Sequence, residues 1–224
     1  MSPEEWKKDV QQAVDAYPGL IYSEFNGERH LKGSIKVEDV DSGIVVDEFE
    51  VDLVFPENYP YCFPKVFEIS GKIERIDDRH VFPADGSLCL GVEPEEILRC
   101  KHGITIRYFI DRVLIPRLAE EFIVNNGGDY QREYAHGIYG LWQFYMKMFE
   151  SKDRQTILKL LRCMGDQSLP RGHKPCPCGS GKKFKRCHFK NILQFVNNFD
   201  SNYLRKQYEL LSSSLFKRAQ ASLT

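Results

Sequence analysis

Phe55–Leu90 reads FPENYPYCFPKVFEISGKIERIDDRHVFPADGSLCL and joins the end of a strand, a tyrosine-proline loop and a turn to one cysteine, Cys89. Asp85 and Gly86 are residue types that favour a tight turn. The sequence therefore predicts that Cys89 lies on ordered, non-helical backbone just after that turn. An accessible thiol would be expected there.

The residues that lead into this stretch alternate between apolar and acidic side chains. A period of two is typical of a half-buried antiparallel strand. The apolar positions are Phe49, Val51, Leu53 and Phe55, and the acidic positions between them are Glu48, Glu50 and Asp52.

The composition is that of a globular protein without a membrane-spanning helix. Of the 224 residues, 42% are hydrophobic and 28% are charged, which is enough for a core and unlike a disordered chain. No run approaches the roughly 18 apolar residues of a spanning helix, and the first residues do not resemble a signal peptide. We therefore expect a soluble, cytoplasmic protein. Its seven cysteines favour thiol chemistry or metal binding over a disulfide framework.

Charge is divided unevenly along the chain. Residues 166–224 contain eleven Lys and Arg against three Asp and Glu, so this segment has a net charge near +8 and the remainder has one near −9. Such asymmetry predicts two modules with different partners. Attraction between the modules themselves explains it equally well.

The spacing of apolar residues predicts an α+β fold, with an antiparallel meander of strands and flanking helices. A helix over residues 3–16 begins at Ser2, and Pro116 predicts a kink or break near Ile115 in a helix over 105–124. Further predicted elements are strands at 30–38, 44–55 and 65–70, and helices at 138–150, 153–163 and within 190–219, with Asp200 or Ser201 as a cap there. Gly165–Pro177 is predicted to link a domain of residues 1–165 to one of residues 166–224.

Two motifs in the first domain resemble the core of the ubiquitin-conjugating enzymes. They are the Phe-Pro-x-x-Tyr-Pro of residues 55–60 and the Asp-Gly-Ser-Leu-Cys-Leu of residues 85–90, and the resemblance extends over roughly residues 1–150. It implies a UBC-like fold and a transferase in which Cys89 accepts a ubiquitin-like modifier as a thioester and passes it to an amine or another thiol. The implied partners are the modifier, its activating enzyme and a protein target, without a membrane.

The sequence departs from the family pattern beside the cysteine. Val81 lies where the family has the asparagine that supports the oxyanion, and His80 or Asp85 could supply the missing polar group. The predicted catalytic residues are therefore Cys89, His80 and Asp85, and His136 could also reach the cysteine. Free cysteines are often small buried hydrophobes, so the alternative is a non-catalytic binding adaptor on the same fold.

Other groups in this domain have simpler explanations. Cys62 lies between two aromatic residues and is predicted to belong to the core, while Cys100 and Cys163 belong to no motif. The acidic run Glu93–Glu96 could orient an incoming lysine, but such a run is more often a solvated loop.

Residues 176–188, CPCGSGKKFKRCH, contain the strongest local signal in the chain. Three thiolates and an imidazole satisfy a closed tetrahedral zinc shell, which leaves no open position for water. The predicted ligands are Cys176, Cys178, Cys187 and His188. The segment resembles the SEC-C motif, named from the tail of the bacterial preprotein translocase motor, and this resemblance implies structural zinc and a bacterial source.

Basic residues surround this cluster. They are Lys182, Lys183, Lys185, Arg186 and Lys190. They favour docking to an acidic protein, and nucleic acid is the weaker alternative because few aromatic residues lie among them for stacking. The Gly-Ser-Gly-Lys run is not a phosphate-binding loop, since no glycine stands five residues before Gly181 and no Ser or Thr follows Lys182.

Overall fold

The computed structural model describes residues 1–130, 134–135 and 137–213. The chain forms two units, Met1–Glu133 and Tyr134–Thr224. The domain boundary predicted from the sequence is at 165/166. The difference arises because the helices of residues 137–165 contact helices that follow the cysteine cluster. His136 and the part of the predicted last helix beyond residue 213 lie outside the described residues.

The first unit begins with helix α1, Pro3–Ala16, and continues as an antiparallel sheet. A capping box fixes the start of α1, because Glu5 N donates to Ser2 Oγ and Ser2 N donates to the Glu5 carboxylate. The strands lie in the order β1 (Leu20–Phe25), β2 (Glu28–Glu38), β3 (Val45–Phe55) and β4 (Lys65–Glu68). The predicted α+β class and antiparallel meander are confirmed, and β1 is an additional edge strand that was not predicted.

One face of the sheet forms the core of this unit. Phe49 and Leu53 of β3 are fully buried, whereas Glu50 is exposed, so the predicted alternation is confirmed. Leu53 lies opposite Leu31 of β2 and Val66 of β4, and both partners are fully buried. The sheet is therefore packed tightly at its centre, directly before the tyrosine-proline loop.

The second half of the unit is helical. It contains a 3₁₀ turn (Asp77–Arg79), α2 (Glu93–Cys100), α3 (Ile106–Phe109), a π turn (Ile110–Leu114) and α4 (Ile115–Asn125). The break predicted near Ile115 takes the form of this π turn. Pro116 has no N–H for an α-helical bond, and Ile115 N donates to Ile110 O, five residues earlier. The acidic run Glu93–Glu96, predicted as a loop, forms the first turn of α2, where negative charge favours the helix dipole.

The second unit is built from helices around an aromatic core. They are α5 (Gly137–Met148), α6 (Arg154–Gly165), α7 (Phe189–Val196) and α8 (Ser201–Ser212). The rings of Tyr145 and Phe149 lie 5.7 Å and 5.2 Å from the ring of Phe195, and all three are fully buried. Asp200 accepts from Tyr203 N at 2.8 Å and is the cap of α8. None of the helices in the described ranges is long and apolar enough to cross a membrane.

The segment predicted as a linker, Gly165–Pro177, is hydrogen-bonded within the second unit. Lys185 N donates to Gly172 O at 2.9 Å and Phe184 N donates to Lys174 O at 2.8 Å. These bonds pair the end of the segment with the residues beyond the Gly-Ser-Gly turn. Composition alone suggested a linker because the segment has no periodic apolar pattern.

Candidate functional site

Cys89 lies at the end of a tight hairpin. Phe82 N donates to Ser87 O at 2.8 Å, and Cys89 N donates to His80 O at 2.7 Å. Gly86 has a φ of +79°, in the left-handed region that glycine adopts without steric penalty. The ordered, non-helical backbone predicted around Cys89 is therefore confirmed, while the reactivity of its thiol stays a prediction.

The hairpin is attached to the sheet and to the core. Leu88 N donates to Val66 O of β4 at 2.8 Å, and Val81 pairs with Leu88 across the hairpin. Val81 and Leu88 are both buried, so the side chain of Val81 serves apolar packing. The Cys89 thiol is half-buried, and its Sγ lies 3.7 Å from Gly91 O.

His80 is joined to Cys89 through the backbone. It has a φ of +52°, which is uncommon for a residue with a side chain. Its imidazole is buried and meets the ring of Tyr130 edge-on, with 5.0 Å between the centroids. The structure therefore brings His80 and Cys89 together by a main-chain hydrogen bond.

Asp85 is engaged by neighbouring donors on both carboxylate oxygens. Lys65 Nζ donates to Oδ2 at 2.8 Å, and the N and Oγ of Ser87 donate to Oδ1 at 3.0 Å and 2.7 Å. The Lys65 ammonium and the two Ser87 donors lower the pKa of the Asp85 carboxyl to about 2. At neutral pH this group is an acceptor only, so it fixes the turn and does not donate to an oxyanion.

The titration of Asp85 tests this arrangement. We expect its carboxyl to titrate near pH 2, and Lys65→Met to raise the midpoint toward the ordinary value of about 3.9 for aspartate. The pKa of Asp85 is lower in the folded protein than in the unfolded chain. Its carboxylate therefore stabilises the fold fully at pH values above the unfolded pKa, and this contribution is lost as the pH falls through the folded pKa. Carboxyl chemical shifts measured by NMR against pH provide the check, and an unchanged midpoint in Lys65→Met would exclude the ion pair.

A groove of about 630 Å³ borders the cysteine hairpin. It is lined largely by apolar side chains, among them Phe63, Phe82 and Leu90. Glu96 Oε1 accepts from Phe63 N at 2.9 Å at the groove wall, and burial raises the pKa of this carboxyl. An extended chain end could lie in a groove of this kind, next to Cys89.

Two other thiols of this unit are held in the protonated form. Burial and the nearby Glu96 carboxylate raise the pKa of the Cys62 thiol to about 11, and burial raises that of Cys100 to about 12. Since the thiolate is the nucleophile, both are poor nucleophiles at neutral pH. Cys100 is fully buried on α2, while Cys62 is half-buried at the groove.

The four predicted metal ligands converge in the second unit. One ligand atom from each of Cys176, Cys178, Cys187 and His188 lies within 4.8 Å of all the others. His188 Nδ1 is 3.4 Å from Cys176 Sγ and 3.3 Å from Cys187 Sγ, and the Cys178 and Cys187 sulfurs are 3.6 Å apart. Such a cluster could hold a metal ion, and it is the one such group of three or more His, Cys, Asp and Glu among the described residues.

A tight backbone turn brings these ligands together. Cys176 N donates to Lys182 O at 2.9 Å, which closes the Gly-Ser-Gly loop. Gly179 and Gly181 have φ values of +83° and +73°, which explains why glycines occupy both positions. Burial would raise the pKa of the Cys178 thiol, but hydrogen bonds from Ser180 and neighbouring thiols lower it to about 6.

The imidazole of His188 is oriented by a second hydrogen bond. Its Nε2 lies 3.0 Å from Phe149 O, just beyond α5. A proton on Nε2 donates to this carbonyl and leaves the Nδ1 lone pair directed toward the cysteine sulfurs, the tautomer of a histidine that binds a metal through Nδ1. Asn191 Nδ2 donates to Met148 O at 2.6 Å in the same region. The cluster is thereby tied to the C-terminal end of α5.

Comparison with known proteins identifies this segment. Residues 174–190 match the SEC-C motif. They form a SEC-C motif. No curated protein and no solved structure matches the chain significantly. The matched motif contains all four predicted ligands and lies wholly in the second unit, so it carries no information about Cys89.

Proposed function

We propose that the protein transfers a ubiquitin-like modifier through a thioester on Cys89, and that its first unit has a UBC-like fold. The observation that carries this proposal is the half-buried Cys89 thiol at the end of a hydrogen-bonded hairpin, beside an apolar groove. The order of α1, a four-stranded antiparallel meander, the cysteine hairpin and later helices agrees with it. The two motifs at residues 55–60 and 85–90 support it further.

The reaction proceeds in two acyl transfers. Cys89 Sγ attacks the carbonyl carbon of the thioester that joins the modifier to its activating enzyme. A new C–S bond forms, the old one breaks, and the thiolate of the activating enzyme leaves. An amine nitrogen of the target then attacks the same carbon, the bond to Cys89 breaks, and the amine loses a proton as the amide forms.

Three side chains have separate roles in this proposal. Cys89 is the nucleophile, and Asp85 holds the hairpin turn through Ser87 and Lys65. Of the two groups that the sequence offered in place of the family asparagine, Asp85 is ionised and only accepts hydrogen bonds. His80 is therefore the remaining side-chain candidate for a donor to the oxyanion, a type of contact that is worth about 3–4 kcal/mol.

We further propose that the SEC-C cluster holds zinc. With bonds of about 2.3 Å to sulfur and 2.0 Å to nitrogen, a tetrahedral shell has edges of about 3.8 Å between sulfurs and about 3.5 Å between sulfur and nitrogen. The observed separations of 3.6 Å and 3.3–3.4 Å are close to these values. When bound, zinc would crosslink the loop, and four protein ligands would leave it no site for substrate.

The second unit is proposed to recruit an acidic protein, either the target or another partner. The sequence of residues 134–224 contains 16 Lys and Arg against 5 Asp and Glu, and no acidic residue occurs between positions 167 and 199. Around the cluster, Lys174, Lys182, Lys183 and Lys185 are exposed. Such a surface attracts anionic partners at long range, and the attraction weakens with salt.

A thioester assay tests the proposed transfer. The protein is incubated with ATP, a ubiquitin-like protein and the enzyme that activates it, and the products are separated without reductant. We expect an adduct that thiol reagents remove and that is lost in Cys89→Ala. Cys62→Ala is the matched control, because Cys62 lines the neighbouring groove but has a raised pKa; it should retain the adduct.

The rival function is a non-catalytic adaptor on the same fold. The buried Val81 at the asparagine position favours it. If wild type and Cys89→Ala bind the modifier with equal affinity and neither forms an adduct, the adaptor replaces the transferase. If Cys62→Ala abolishes the adduct and Cys89→Ala does not, the assignment of the nucleophile is wrong.

A further inference from the structure

A buried ionic cluster lies between α4 and the turn that precedes Val81. Its centre is the carboxylate of Glu121, whose side chain has no solvent exposure. Arg79 donates to Glu121 Oε2 from Nε at 3.1 Å and from a terminal nitrogen at 2.5 Å. Arg117, which lies one turn earlier on α4, forms an ion pair with Glu121 Oε1. Tyr130 OH donates to the same Oε1 at 2.5 Å. A single carboxylate thus holds three side chains.

These three side chains surround His80. Arg79 is its neighbour in the chain, and the Arg79 carbonyl accepts a hydrogen bond from Arg117 at 2.7 Å. Tyr130 packs against the His80 ring. The His80 carbonyl in turn accepts from Cys89 N. Groups bound to Glu121 therefore hold the backbone that supports Cys89 at the Arg79 carbonyl and at the His80 ring.

We propose that Glu121 is a positioning residue for Cys89. It holds the side chains of Arg79, Arg117 and Tyr130. These groups in turn hold His80 in its left-handed conformation, in which the His80 carbonyl accepts the hydrogen bond from Cys89 N. Its role in transfer rests on the proposed function, whereas its effect on the hairpin does not. Glu121 touches no reacting atom and acts through His80.

Two variants of the full chain test this positioning. Glu121→Gln keeps the shape of the side chain and removes its charge, and Tyr130→Phe removes only the hydroxyl that Glu121 binds. Tyr17→Phe is the matched control, because Tyr17 OH donates to Asp111, a carboxylate in a different part of the first unit. The readouts are hydrogen exchange of the Cys89 amide by NMR, exchange of the Leu53 amide in β3, and the kinetics of thioester formation.

We expect the Cys89 amide to exchange at least about tenfold faster in Tyr130→Phe, while Leu53 in the central strand keeps its protection. In Glu121→Gln the lost charge also lowers the stability of the whole unit, and the acceleration at Cys89 should exceed that at Leu53 by about tenfold. The kcat for thioester formation should fall about tenfold, because a small displacement of a reacting group slows its attack. The KM for the activating enzyme that carries the modifier should not change. Tyr17→Phe should leave these quantities unchanged. Unchanged exchange at Cys89, or equal acceleration at Cys89 and Leu53, would overturn the proposal. If wild type forms no thioester, transfer fails, but the exchange rates still decide the positioning.

Discussion

Purified protein is expected to carry a zinc ion in each chain, and its removal should unfold the second unit. The ligands lie in a loop that connects α6 with α7, and His188 binds the carbonyl of Phe149 beyond α5. Zinc binding by peptides of this size contributes about 10–16 kcal/mol of folding free energy. Loss of that contribution matches or exceeds the whole free energy of unfolding of most small domains. Metal analysis and far-ultraviolet circular dichroism before and after chelation measure both effects.

The double variant Cys176→Ser, Cys178→Ser tests the site itself. It should lose the zinc and the helical signal of the second unit together. Cys163→Ser is the control, because Cys163 is a half-buried thiol of α6 outside the cluster, and it should keep both. Undiminished zinc in the double variant would refute the ligand assignment. Zinc loss without loss of helix would refute its structural role.

Glu121→Ala is expected to give a large loss of stability in the first unit, about 3–5 kcal/mol in the free energy of unfolding. Removal of Glu121 leaves the buried guanidinium of Arg117 and the partly buried guanidinium of Arg79 without their shared carboxylate, and uncompensated buried charge is costly. The side chains of Arg117 and Glu121 are 1% and 0% exposed, so solvent cannot replace the lost contact without opening the fold. Urea unfolding monitored by Trp6 fluorescence in a Trp142→Phe background reports on the first unit alone.

Glu95→Ala provides the matched comparison. Glu95 also pairs with an arginine one helical turn away, at 2.7 Å from Arg99, but both side chains are partly exposed, at 23% and 37%. Exposed pairs of this spacing contribute about 0.3–0.5 kcal/mol. A Glu121→Ala effect no greater than that of Glu95→Ala would contradict the description of a tightly buried ionic cluster.

Features fixed by neighbouring residues could be predicted from the sequence. The alternation of β3 gave the buried face of the sheet correctly, since side chains alternate along any strand. The predicted metal ligands are spread over only thirteen residues, so their spacing was enough to predict that they converge. The turn before Cys89 was predictable because Gly86 takes a conformation that other residues avoid.

Features that depend on distant partners could not be predicted. Arg79 and Glu121 are 42 positions apart, and no local pattern relates them. The partner of His188 is a backbone carbonyl, which any residue type could supply. β1 was missed because its side chains do not alternate in burial, with Ile21 and Phe25 exposed. The two contact-based units differ from the predicted domains for a similar reason, since the packing of α6 on α8 joins segments on opposite sides of the cysteine cluster.

The most direct test of the central claim is the intact mass of the protein after incubation, without reductant, with an activating enzyme that carries the modifier as a thioester. We predict a species heavier by the mass of the modifier less one water, with the added mass on the peptide that contains Cys89. Thiol treatment should return the original mass, and Cys89→Ala should never gain it. An adduct on any other residue, or one that persists in Cys89→Ala, would contradict the transfer of a modifier through Cys89.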